Sequence, residues 1–512
     1  MLAVVKSIAM LGLEGYVVDV EVDISNGLPG LEIVGLPGAS VKESKERVRA
    51  AIKNSGFVFP LGRITVNLAP ADRRKVGPVF DLPIAVGLLA ASGQLANDNY
   101  RKYVFFGELS LDGSLRGVTG ILPSVVAARD NTTSEGVIVP TENRDEAALV
   151  EECKVYPLSN LRQLTGFLNG TENLPRHRVD INSLVGQMSL EPSENMADVY
   201  GQFRVKRALE VAAAGGHNVI MIGPPGSGKT MMARRLSHII PAMSFAEALE
   251  VTKIYSIAGL IKSEMPLVIN RPFRSPHHNV TKSGMVGGGS IAKPGEISLS
   301  HYGTLFMDEF PEFTRDTLES LRQPMEDGRV CISRVNGSIE YPARMMLVAA
   351  MNPCPCGYQG DVSRECTCTP AQVARYKSRV SGPLLDRIDI HIEVPRIKYE
   401  ELREDKRGES SQKIRKRVVK ARLIQQERFA GTGINSNAAM GNKEIRLHCC
   451  LEGKAAALIK KAFDKLCLSA RAYSRVLKVA RTIADLNGTE KITENDIAEA
   501  VQYRSIDRSF RH

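Results

Sequence analysis

Residues Gly223, Pro224, Pro225, Gly226, Ser227, Gly228, Lys229 and Thr230 fill the pattern G-x-x-x-x-G-K-[ST] at every position. Glycines in such a turn let successive backbone N–H groups converge on phosphate oxygens, and the N-terminus of a following helix adds positive potential. The flanks suit this reading: an apolar strand, Val219–Ile222, runs in, and a helical run, TMMARRLSHII, runs out. Lys229 would reach the β and γ phosphates of ATP, and Thr230 would hold Mg²⁺. A second apolar strand, Thr304–Met307, ends in Asp308 and Glu309. A strand end delivers both carboxylates to the sheet edge where phosphates lie. There Asp308 would bind Mg²⁺, directly or through water, and Glu309 would orient or polarise the attacking water. A third strand, MMLVAA, leads to Asn352, placed to hydrogen-bond the γ-phosphate or that water.

Phosphoryl transfer to water also needs positive charge in the transition state, often delivered across a subunit boundary. Arg387, within SGPLLDRIDI, is the candidate for that role. Arg471 or Arg475, within LSARAYSRVLKVAR, would supply a second arginine from a helical domain. A single arginine is more often a surface residue, so each assignment rests on its place in the order of motifs. Cys354, Cys356, Cys366 and Cys368 form a C-x-C-x₉-C-x-C pattern. Two close pairs of thiolates fit a tetrahedral Zn²⁺ site, and unligated reduced thiols or a redox switch fit the same spacing. Cys153, Cys331, Cys449, Cys450 and Cys467 show no ligand pattern.

These residues must be held by several domains. The chain has 512 residues, and at roughly 150 per domain that suggests about three. Hydrophobic residues make up 43% and charged residues 24%, which excludes wholesale disorder. No uncharged apolar stretch reaches the roughly 18 residues of a membrane span. The N-terminus lacks a basic start and a small-residue cleavage site, which points to the cytoplasm and to reduced thiols for the nine cysteines. Lysine plus arginine total 67 against 57 acids, a formal +10, compatible with a polyanionic partner without establishing one.

The expected fold class is multidomain α/β. Residues 1–165 read as an α+β domain, with strands in GYVVDVEVDI and GRITVNLAP. Between them lies a helix, SVKESKERVRAAIKNSG, capped by Ser40 and closed by Gly56, and a second apolar helix covers residues 82–91. Twin GLPG turns flank one short strand. Residues 166–195 are polar and aperiodic, the expected linker. In residues 196–395, continuous apolar strands alternate with helices, the mark of a parallel sheet covered on both faces. Residues 396–512 read as helical. They include a helix from Ala470 to Leu486 stopped by Asn487-Gly488, and a capping box of Thr493 with Asp496.

The order P-loop, Asp-Glu, strand-Asn, LDR, SxR resembles the AAA+ ATPases. RPFRSPHHNVTKSGMVGGGSIAKPGEISLSHYGTLFMDEFPEF, AAMNPCPCG and SGPLLDRID resemble the magnesium-chelatase branch of that class. The whole chain, from GLPGLEIVGLPGASVKESKERVRAAI onward, resembles the ComM/YifB type of magnesium-chelatase-like bacterial proteins. That resemblance implies an ATP-driven hexameric ring associated with DNA branch migration in recombination and natural transformation. The first block separately resembles the proteolytic domain of Lon-type proteases, through FFGELSLDGSLRGVTGILPSVVAAR and GVIVPTENRDEA. Val79 falls where that site has its serine and Leu122 where it has its lysine, so the fold is expected without peptidase chemistry.

A sequence-independent DNA contact would need basic loops. Lys282 and Lys293 flank the loop GMVGGGS, which in the resembling family projects into the pore. Arg334 precedes the Asn336-Gly337 turn of a predicted hairpin, CISRVNGSIEY. Each of these charges suits loop solubility equally well. The same two readings apply to the basic runs ADRRK, Ala71 to Lys75, and KIRKRVVKAR, Lys413 to Arg422. No aromatic sits at either loop tip, so base stacking is not expected. The competing functional class is a metal-insertion ATPase acting on a partner protein, with a protein remodeller as a third.

Overall fold

Alternating β-branched and polar residues at the N-terminus produce a long antiparallel pair, Leu2–Leu11 and Glu14–Ser25, joined by a two-residue turn with Gly12 at φ +64°. The computed structural model describes residues 2–187, 194–289, 292–334, 337–361, 364–397, 408–466 and 468–504. The first pair belongs to a seven-stranded mixed sheet. Its spatial order is Gly30–Val34, Arg63–Ala69, Glu14–Ser25, Leu2–Leu11, Tyr103–Phe105, Gly136–Pro140 and Val155–Leu158. The apolar helix Asp81–Ala91 packs on this sheet with every residue buried. The helix Ala39–Asn54 starts two residues earlier than a Ser40 cap implies. Gly38 is its N-cap, and Ser40, the expected cap, instead accepts a hydrogen bond from the Gly77 backbone N–H at 3.1 Å.

The expected linker carries structure of its own. The helix Leu161–Asn169 crosses its start, and a second helix spans Ile181–Gln187. Val179 and Leu184 explain the second helix, because they pack on a hydrophobic cluster shared by the first block and the middle one. Ile121 and Val125 meet Ala248 and Val251 in that cluster. At the same contact, buried Glu146 accepts hydrogen bonds from Ser256 Oγ at 2.5 Å and Leu122 N at 3.1 Å.

The middle block is a five-stranded parallel sheet ordered Phe273–Arg274, Thr304–Met307, Met346–Met351, Val219–Ile222, Ile390–Glu393. The three central strands are buried at every residue, as sheets covered on both faces require. Ile222 pairs with Met351 and Met307 with Ala349, so the three strands end at one edge. The residues that follow them are Gly223, Asn352 and Asp308.

The last block is helical: Ser411–Arg428, Asn442–His448, Gly453–Leu466, Ala470–Asn487 and Glu494–Gln502. Ser469 caps the fourth helix and Gly488, at φ +71°, closes it. Thr493 and Asp496 form the expected capping box. Leu209 and Ala212 of the middle block share one core with Val476, Ala480 and Ile483, so this block is packed against the sheet domain and not merely tethered to it. No helix among the described residues is long and apolar enough to cross a membrane.

Candidate active site

The turn after Val219–Ile222 depends on glycine. A Cβ at Gly223 would lie 2.2 Å from the Val394 carbonyl oxygen, and Gly226 and Gly228 take φ of +75° and +89°. The turn wraps Lys229, whose Nζ donates to Gly223 O at 2.7 Å, Pro224 O at 2.9 Å and Asn352 Oδ1 at 3.2 Å. Burial lowers its pKa, and the charge of Asp308 partly restores it. Lys229 is only 8% exposed, and its hydrogen-bond partners among the described residues are neutral oxygens. Ser227 Oγ is buried without a partner. A buried ammonium on neutral carbonyls is unfavourable without an anion, and an orphaned hydroxyl beside it calls for an acceptor. Both fit the phosphates of a nucleoside triphosphate.

Thr230 Oγ1 donates to Asp308 Oδ2 at 2.7 Å, which brings together the two residues suited to Mg²⁺. Bound there, the ion would supply positive charge shared between phosphate oxygens. Asp308 Oδ1 accepts the Glu309 backbone N–H at 2.9 Å. Glu309 itself sits at φ +51°, ψ +42°, a left-handed conformation that costs a non-glycine residue about 1–3 kcal/mol. Its side chain is 58% exposed and its Oε2 lies 3.1 Å from His278 Nδ1. The role of His278 is not apparent from the sequence, where it is one letter of RSPHH. The signal is register: Arg274 pairs with Leu305, and four residues further along the chain from each, past the strand ends, come His278 and Glu309.

The three arginines lie elsewhere. Ile390–Glu393 runs parallel to Val219–Ile222, and Arg387 precedes it, at the sheet edge opposite the P-loop. Arg387 is 7% exposed; its Nη2 lies 2.8 Å from Glu326 Oε1 and its Nη1 donates to Pro383 O at 2.7 Å. Arg471, exposed, reaches the same Glu326 oxygen at 3.8 Å. Arg475 is ion-paired with buried Asp389. The structure gathers the three around Glu326 and Asp389 and away from the chain's own phosphate site.

Cys354, Cys356, Cys366 and Cys368 come together and could hold a metal ion. Lys282 and Lys293 are exposed beside the small ribbon Gly287–Gly288 with Lys293–Pro294. The predicted hairpin forms from Arg329–Arg334 and Gly337–Pro342; Asn336 lies outside the described residues, as does the Arg334 side chain. The two projections share a base, where Tyr341 Oη donates to Ala292 O at 2.6 Å. Two basic runs are partly committed inside the fold. Lys75 is fully buried with its ammonium on the Pro70 carbonyl. Arg417 pairs with Glu210 and Glu409, and Arg422 donates to Ala213 O at 3.0 Å. In the first block, Val79 and Leu122 pack into the hydrophobic clusters.

A P-loop, a strand-end carboxylate pair and a strand-end asparagine on one edge of this parallel sheet, with a helical block behind, define an AAA+ ATPase. Residues 195–402 match the family model described as magnesium chelatase, subunit ChlI, residues 20–143 that of subunit ChlI of Mg-chelatase, and residues 408–504 that of the subunit ChlI C-terminal part. The competence protein ComM of Haemophilus influenzae is 46% identical over 511 residues, covering 99% of this chain and 98% of that protein. The uncharacterized protein YifB of Escherichia coli is 45% identical over 513 residues, covering 100% and 98%. The magnesium-chelatase 38 kDa subunit of Cereibacter sphaeroides is 25% identical over 177 residues, covering 30% and 51%. The chain belongs to the ComM/YifB family of magnesium-chelatase-like AAA+ ATPases.

Proposed function

We propose that this protein is an ATP-driven, hexameric DNA motor, a branch-migration helicase serving homologous recombination and natural transformation. The observation that carries the reading is the separation of the hydrolytic residues. Lys229, Thr230, Asp308, Glu309 and Asn352 serve one sheet edge, while Arg387 lies at the other. An arginine that cannot reach its own nucleotide can serve a neighbour's, so turnover is completed between subunits of a ring. Arg471 and Arg475 act beside Arg387 from the helical domain. Glu309 orients the attacking water, and Asn352 senses the γ-phosphate. The name competence protein, carried by the Haemophilus relative, supports DNA as the substrate. Exposed Lys282 and Lys293, with Arg334 on the adjoining hairpin, would hold phosphates without reading sequence.

On the same reading, residues 1–165 are a Lon-like domain without peptidase function that binds DNA or assists ring assembly. The segment 166–195 links it to the ATPase core at 196–395 and the helical domain at 396–512, and the four clustered thiols hold a structural zinc ion. The test is ATP hydrolysis by the full chain with forked or single-stranded DNA at about 0.1 M salt. Stimulation that weakens as salt rises is the expected outcome. No stimulation and no strand exchange on a branched substrate would overturn the DNA reading. It would favour an ATPase that remodels, or inserts metal through, a partner protein, the class suggested by the magnesium-chelatase likeness.

A further inference from the structure

The loop that leaves the Met346–Met351 strand returns to the helix Pro370–Lys377 through four cysteines. No described residue from Asn352 to Thr369 joins any hydrophobic cluster, so apolar burial does not hold this loop in place. The four thiols converge within it, Cys354 buried and the other three half-buried. Their Sγ atoms all lie within 4.8 Å of one another, with Cys354 to Cys356 at 3.3 Å, Cys354 to Cys366 at 3.7 Å and Cys356 to Cys366 at 3.6 Å. A disulfide would bring two sulfurs to about 2 Å. A tetrahedron with metal–sulfur bonds of about 2.3 Å has edges of about 3.8 Å. The measured separations fall near the tetrahedron and far from the disulfide. Two backbone N–H groups point at the sulfurs, Gln359 N to Cys354 Sγ at 3.3 Å and Cys356 N to Cys368 Sγ at 3.4 Å. Such donors favour charged thiolate, the form that binds metal.

The loop presses on the ATP site. Gly357 follows Cys356 at φ +87°, and a Cβ there would lie 2.6 Å from Pro225 Cδ, inside the P-loop, and 3.8 Å from Asn352 Cγ. Asn352 stands two residues before Cys354 and accepts from Lys229. We infer that the tetrathiolate metal site is a positioning device of the ATP site: by closing the Cys354–Cys368 loop, the metal seats Gly357 on Pro225 and holds Asn352 within reach of Lys229 and the phosphates. The inference rests on the zinc reading above and extends it from structural support to control of nucleotide binding and turnover.

The test uses the full chain, with metal content, cobalt substitution, affinity for a fluorescent ATP analogue and turnover measured together. Wild-type protein should carry stoichiometric zinc, and its cobalt form should show the visible absorption of a tetrahedral tetrathiolate. Gly357→Ala should keep the metal and that spectrum while losing turnover on the order of a hundredfold, because its methyl group displaces Pro225. Cys366→Ser should lose the metal and suffer a similar loss. If that variant does not fold, wild-type chain stripped by a chelator replaces it, with ATP affinity expected to fall and to recover on adding zinc. A metal-free wild type with a featureless cobalt titration would overturn the zinc reading and the coupling together. Metal-loaded Gly357→Ala with wild-type affinity and turnover, or stripped chain that binds ATP unchanged, would overturn the coupling alone. Metal-loaded wild type that does not bind ATP would overturn the nucleotide site and the coupling with it, while leaving the metal site standing.

Discussion

Lys229 is a buried ammonium whose partners are two backbone carbonyls of the phosphate turn and the amide oxygen of Asn352 at the end of the next strand. Lys229→Ala should therefore abolish ATP hydrolysis, and a variant that hydrolyses at the normal rate would refute the site. Glu309 differs because its carboxylate is exposed, next to His278. Glu309→Gln should keep ATP bound while turnover falls by about 10²–10⁴, the usual worth of a positioned base. A single-turnover assay beside a binding measurement separates the two effects. Lys229 and Asp308 are legible in the sequence because a turn motif and a strand end are local patterns. The contact of Glu309 with His278 is not, because it arises from strand pairing between residues about thirty positions apart.

The helix Ala470–Asn487 is an element with two kinds of arginine. Arg475 is 15% exposed and pairs with Asp389, which is 1% exposed. Burial alone would raise the Asp389 pKa, but the charge of Arg475, with the His217 ring nitrogen 3.5 Å away, holds it well below the usual carboxylate range. Arg475→Ala would leave that carboxylate buried and unpaired, so stability should fall by about 3–5 kcal/mol. Exposed Arg471 makes only a long contact, so Arg471→Ala should change stability by less than about 0.5 kcal/mol while reducing turnover. Thermal melting together with ATPase rates distinguishes these outcomes. His217, in the same cluster, is fully buried, and burial lowers its pKa despite Asp389 nearby. Its folded pKa lies below the unfolded value of about 6.5, so the unfolded chain takes up the proton first as pH drops. Stability present above about pH 6.5 should decline below it, and a flat melting temperature between about pH 7.5 and 5.5 would contradict this.

The chain separates the phosphate edge of its sheet from the edge that holds Arg387, and on the proposed reading a second copy reunites them. Mixing Lys229→Ala and Arg387→Ala chains tests this at the scale of the assembly. Each variant alone should be inactive. A random mixture should regain about a quarter of the interfaces, those joining an intact Lys229 to an intact Arg387. Mixtures that stay inactive would argue that Arg387 acts within its own chain or only supports the fold. Taken alone, the sequence determined the phosphate turn, the strands that end in Asp308 and Asn352, the helix stops and the capping box. These depend on residues close together in the chain, where spacing and backbone preference suffice. Tertiary structure decided which charges turn inward and which stay exposed: Lys75, Arg417, Arg422 and Arg475 have partners inside the fold, while Lys282 and Lys293 remain exposed. It also decided that the expected linker forms a helix and that the cysteine loop rests on the P-loop. Burial and contact between distant segments set those outcomes, and no local pattern of residue types records them.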